Sequence, residues 1–68
     1  MRLETRLREY RQAKGLDQAA LAALVGVRRE TIGRLEKGQY NPSLKLAMDL
    51  AQVFGVQVED LFAFREEE

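Results

Sequence analysis

The chain predicts an all-α domain of five short helices, and three observations carry that reading. Apolar residues recur at three- and four-residue spacing in several separate stretches. Gly15, Gly26, Gly38 and Gly55 fall where those stretches end. Sixty-eight residues, 46% hydrophobic and 32% charged, suit one packed domain and lie outside the disordered class.

The first helix is expected over Thr5–Lys14, where Leu7 and Tyr10 continue a stripe begun by Leu3 and Gly15 supplies the stop. Leu16 is expected as a buried anchor. Asp17 can accept from the free amides that open a second helix, Gln18–Val25. A third helix covers Arg29–Lys37, and Gly38–Pro42 form a loop. Pro42-Ser43 begin a fourth helix, whose buried face is expected to hold Leu44, Ala47, Leu50, Ala51 and Phe54 up to Gly55. A last turn over Val58–Phe62 closes the core. Met1–Leu3 and Phe62–Arg65 leave two readings open, a small two-stranded β-ribbon or irregular tails. Glu66–Glu68 are expected to fray.

The core of this single domain spans about residues 5–62. A chain of this size buries only about 60% of its unfolded surface. It has no cysteine for disulfides, and without histidine it lacks the usual zinc ligands, so helix packing, with or without a partner chain, must stabilise it. No apolar run approaches the ~20 residues needed to cross a bilayer, and MRLETRLREY has no signal-peptide core; the cytoplasm is the expected compartment. The zero net charge divides unevenly. Residues 1–38 hold nine Lys/Arg and five Asp/Glu, a net +4, whereas residues 39–68 hold two and six, a net −4. Such a dipole can set one face on phosphates while the other end repels them.

Residues 18–37, QAALAALVGVRRETIGRLEK, read as two helices joined by a sharp turn. Small Ala22 suits a close crossing, Gly26 suits the turn, and Leu21, Val25, Val27, Ile32 and Leu35 pin the pair to the domain. On the second of these helices Ile32, Leu35 and Glu36 face inward. Arg29, Glu30, Gly33, Arg34 and Lys37 make one outward arc. Arginine can grip guanine O6 and N7, and glutamate can accept from cytosine N4. Gly33 removes a side chain where the backbone could approach a groove, although it weakens the helix by about 1 kcal/mol relative to Ala. Arg29, Glu30, Gly33 and Arg34 are therefore the expected base readers. The bland alternative is a solvated face with a Glu30–Arg34 pair.

Phosphate contacts are expected from Gln18, at a helix start where backbone amides also point outward, and from Arg28, Lys37, Tyr40 and Asn41. Gln18 and Arg28 also read as plain solvent-facing residues, and Asn41 as a stabiliser of the turn before Pro42. Arg11 and Glu36 lie on the core sides of their helices, which favours an ion pair that fixes an interhelical angle; Arg11 could still offer spare donors to a phosphate. Leu61, Phe62 and Phe64 are candidates for a dimer interface in the acidic half, or alternatively for closing the monomer core, the preferred reading for Leu61.

The segments RLREYRQAKGLDQAALAALVGV, RRETIGRLEKGQYNPSL and AQVFGVQVEDLF together resemble the phage Cro/cI repressor type of helix-turn-helix domain, the XRE family, over roughly Leu7 to Phe62. The resemblance implies five helices with the third in the DNA major groove. It also implies a phosphate-binding Gln18, base readers at Arg29, Glu30 and Arg34, an Arg11–Glu36 salt bridge, and a GQYNPSL loop whose amides hold phosphate. Members of this length resemble stand-alone homodimeric repressors, some with a terminal β-ribbon. Three positions depart from the pattern: Arg28 stands where Ser or Thr often caps the third helix, Ala20 where glutamate is common, and Gln57 where Ser often caps the last helix.

The expected function is a sequence-specific double-stranded DNA-binding regulator, a repressor acting as a homodimer on a near-palindromic operator. The alternative is an antitoxin that binds a toxin protein and represses its own operon; the short tail argues against it, and co-purification with a second small protein would favour it. An enzyme is not expected, because without His or Cys no pair of groups has a spacing suited to acid–base work. No cofactor, metal, membrane or small-molecule ligand is called for.

Overall fold

Side-chain caps fix where two of the helices begin. The Asp17 carboxylate accepts the Ala20 N–H at 2.7 Å and the Ser43 hydroxyl accepts the Leu46 N–H at 3.1 Å. Each satisfies an amide that a first helical turn leaves without a partner. The computed structural model describes residues 2–66. In chain order it holds β1 (Arg2–Thr5), α1 (Leu7–Ala13), α2 (Gln18–Val25), α3 (Arg29–Glu36), α4 (Leu44–Phe54), α5 (Val58–Leu61) and β2 (Phe62–Arg65). Met1, left open between ribbon and irregular tail, and Glu67 and Glu68, expected to fray, lie outside the described residues.

Of the two readings of the tails, the structure has the ribbon: β1 and β2 pair antiparallel, with Leu3 opposite Phe64 and Thr5 opposite Phe62. That pairing corrects two helix ends. Thr5, expected in the first helix, belongs to β1, and its hydroxyl accepts the Leu7 N–H at 3.1 Å to help start α1. Phe62, expected in the last helix, opens β2. Lys37 caps α3 rather than belonging to it. At α5 the missing Ser is offset from the other direction, since the Asp60 carboxylate accepts the Gln57 N–H at 2.9 Å.

Leu7, Leu21, Ile32, Leu35, Leu50 and Leu61 are fully buried, each drawn from a different turn of the five helices. Burial of one such side chain stabilises by about 1.5–3 kcal/mol, so these six dominate a domain of this size. Tyr10 and Phe54 stack at a tilt with centroids 5.9 Å apart and join α1 to α4. Leu16 is only half-buried, packed against the rim of this core. One expectation for α4 is overturned: Leu44 is 74% exposed, and Leu46 takes its place inside. The Ser43 cap starts the helix with Leu44 on its outer side. Among the described residues no helix is long and apolar enough to cross a membrane.

Candidate nucleic-acid interface

The turn between α2 and α3 depends on Gly26, whose φ of 72° lies in the left-handed region where a side chain is strained. Its N–H and that of Val27 both return to the Ala22 carbonyl and satisfy the end of α2. Ala22 is buried at the crossing. Beyond the turn, Arg28 stands at the start of α3 in extended conformation and offers no side-chain cap. Its carbonyl receives the Thr31 N–H at 3.0 Å, so the helix begins without help from a hydroxyl.

Behind α3, three helices meet at one carboxylate. Arg11 donates to Glu36 through Nε at 2.6 Å and Nη2 at 3.2 Å, and through Nη1 to the Leu16 carbonyl at 2.8 Å. Gln18 donates Nε2 to the same Glu36 at 3.1 Å. The Arg11 and Glu36 side chains are only 10% and 4% exposed. The Glu36 hydrogen bond raises the Arg11 pKa above its ordinary value against the opposing effect of burial, so the guanidinium stays charged. This junction fixes α1, α2 and α3 against one another. Sequence reasoning reached the Arg11–Glu36 pair and missed that Gln18 completes it. The spare Arg11 donors are withdrawn from the surface.

The outward arc is arranged differently. Arg28, Arg29, Glu30, Arg34 and Lys37 are all exposed. Among the described residues Glu30 and Arg34 form no ion pair, with each other or with any other side chain. Gly33 is half-buried at the edge of the arc beside α2. A Cβ there would lie 3.8 Å from the Gln18 amide, ordinary contact, so the fold does not require glycine. Tyr40 is exposed, and the Asn41 side chain makes no hydrogen bond among the described residues. The structure thus brings Arg28, Arg29, Glu30, Arg34 and Lys37 together on one helix and its flanks, with Tyr40 and Asn41 in the loop that follows. Of the three residues expected at a dimer interface, Leu61 and Phe62 belong to the monomer's own core, whereas Phe64 is 54% exposed.

Two helices meeting at a glycine turn, the second with an apolar inner face and a cationic outer one, define a helix-turn-helix domain. The model of the helix-turn-helix family matches residues 7–61, and the chain belongs to that family of DNA-binding transcriptional regulators. It is 58% identical over 66 residues to an uncharacterized HTH-type transcriptional regulator of Archaeoglobus fulgidus, covering 97% of this chain and 94% of that one. Its structure is similar to that of the restriction-modification controller protein C.AhdI from Aeromonas hydrophila, with a TM-score of 0.74 and 44% identity over 81% of this chain and 83% of that one. A hydroxypropylphosphonic acid epoxidase from S. wedmorenis is also similar, with a TM-score of 0.70 and 31% identity over 78% of this chain, but the match spans only 28% of the enzyme. The family and these regulators mark the chain as a transcriptional regulator rather than an enzyme.

Proposed function

We propose that the protein is a repressor that binds double-stranded DNA sequence-specifically, as a homodimer on a near-palindromic operator. The observation that carries this reading is the contrast across α3: a rigid buried junction behind it and unpaired charges in front. Arg29, Glu30 and Arg34 read base edges in the major groove, and Gly33 lets the helix backbone approach. Arg28, Lys37, Tyr40 and Asn41 hold phosphates, and Gln18, fixed by Glu36, points its second amide hydrogen at the backbone. Arg11 acts through Gln18 and Glu36 rather than by touching DNA.

One α3 covers too few base pairs to specify a site, so two copies about 34 Å apart would read successive turns of the duplex. The surface available for the second copy is the apolar groove between α4 and the ribbon, lined by Leu3, Pro42, Leu44, Val58, Ala63 and Phe64. Apart from Leu3 these residues belong to the acidic half, and the outward arc of α3 is left free. Selection of bound sites from a random duplex library is expected to return a near-palindrome. Arg29→Ala or Arg34→Ala should each cost about 1–3 kcal/mol and relax preference at one position per half-site. Retention of both affinity and preference by these variants would remove α3 as the reader.

A further inference from the structure

Arg2 and Arg65 stand directly opposite each other across the β1–β2 ribbon. Like charges in that position oppose pairing, because facing Cβ atoms are only about 4.5–5.5 Å apart. Facing residues also share a side of the ribbon, so Leu3, Thr5, Phe62 and Phe64 form its inner face while Arg2, Glu4, Ala63 and Arg65 form its outer one. On the outer face one carboxylate serves two guanidiniums. Glu4 lies 3.7 Å from Arg2 Nη2 and also pairs with Arg65 Nε. The two arginine side chains remain 63% and 71% exposed. Arg65 is out of character with its stretch of the sequence, since residues 39–68 hold two cations against six carboxylates.

Gly38 brings this face to the edge of the recognition surface. A Cβ on Gly38 would stand 2.7 Å from the Leu3 carbonyl oxygen, closer than real side chains allow, and φ there is 71°. Glycine is therefore a condition of β1 packing against the end of α3. A groove results, lined on the ribbon side by Arg2 to Thr5 and on the other by Glu36, Lys37 and Gly38. Arg2 thus shares a groove with Lys37 at the end of α3, and Arg65 faces Arg2 across the ribbon.

We propose that Arg2 and Arg65 form a backbone-phosphate site for duplex DNA, outside the segment that α3 reads; this rests on the DNA-binding reading above. A phosphate received by both guanidiniums would relieve the repulsion that Glu4 only half neutralises, and the planar donor fork of arginine suits it. Such a contact adds affinity and register but no sequence information.

The test is binding of mixed-sequence double-stranded DNA across a series of KCl concentrations. Arg2→Ala and Arg65→Ala should each make the log–log salt dependence shallower by about 0.9, and the double variant by about twice that. The motif selected from a random library should stay the same. Arg2→Lys with Arg65→Lys should keep the wild-type slope, and Glu4→Gln should bind the same DNA more tightly. An unchanged slope in the double alanine variant, beside a wild type that binds, overturns the phosphate site and leaves the α3 reading standing. An unchanged slope with altered self-association gives the pair to a second copy and equally overturns it. Absence of salt-dependent binding by the wild type sinks both.

Discussion

Arg11 and Glu36 are withdrawn from water together, and the energetics of that arrangement are asymmetric. A buried pair contributes little net stability compared with apolar residues of the same volume, yet removal of one partner strands a charge and costs about 3–5 kcal/mol. A domain of this length has only about 3–10 kcal/mol in total, at 0.05–0.15 kcal/mol per residue. Arg11→Met is therefore expected to leave much of the protein unfolded at room temperature, as measured by urea titration with circular dichroism. Arg11→Met combined with Glu36→Leu should recover most of the loss. Wild-type stability in the single variant would show that the junction is not what orders α3. Sequence position alone put both residues on inner faces. The Gln18 bond was not legible, because it depends on how the three helices set the Glu36 carboxylate, whose Oε1 accepts from both Arg11 Nη2 and Gln18 Nε2.

Among the elements, α3 carries a conflict between local propensity and the proposed function. Gly33→Ala should raise helix stability by about 1 kcal/mol, since the added methyl meets the Gln18 amide at only 3.8 Å. A higher Tm joined to weaker operator binding is the expected outcome; a higher Tm with unchanged affinity would place the groove floor away from Gly33. The boundaries of α2 were readable because Asp17 and Gly26 both act within a few residues. The face of α4 was not. Leu44, Leu46, Ala47, Met48, Leu50 and Ala51 offer apolar groups on nearly every side, and either Leu44 or Leu46 fits the spacing. The helix start at Ser43 decides, and it turns Leu44 outward. The ribbon is not legible in the sequence for a different reason. Four alternating residues are too few to identify a strand without a partner, and the partner lies at the far end of the chain.

For the whole molecule, the division of charge sets opposite salt responses for the two proposed contacts. Docking of the +4 half on DNA weakens as salt rises. Two copies meeting through their −4 halves repel one another, and salt screens that repulsion. Sedimentation equilibrium is thus expected to show tighter self-association at higher KCl over the range in which DNA affinity falls. Leu44→Glu should shift the protein to monomer without unfolding it, because Leu44 is 74% exposed and contributes little to the core. Continued dimerisation of that variant would place the second copy elsewhere. The charge split was visible in the sequence, whereas the proposed surface was not, since Leu61 and Phe62, two of the three residues expected to form it, lie inside the monomer.

The pairing of Arg2 with Arg65 also means that the described chain nearly closes on itself. A two-residue connection such as Asn-Gly between those positions would turn the ribbon into an ordinary β-hairpin. The polypeptide could then be opened at the exposed turn around Gly15, or at the one around Gly55, with every helix and its packing retained. The order in which the helices are threaded is thus separable from how they fit together, and a circularly rearranged gene should encode the same folded regulator.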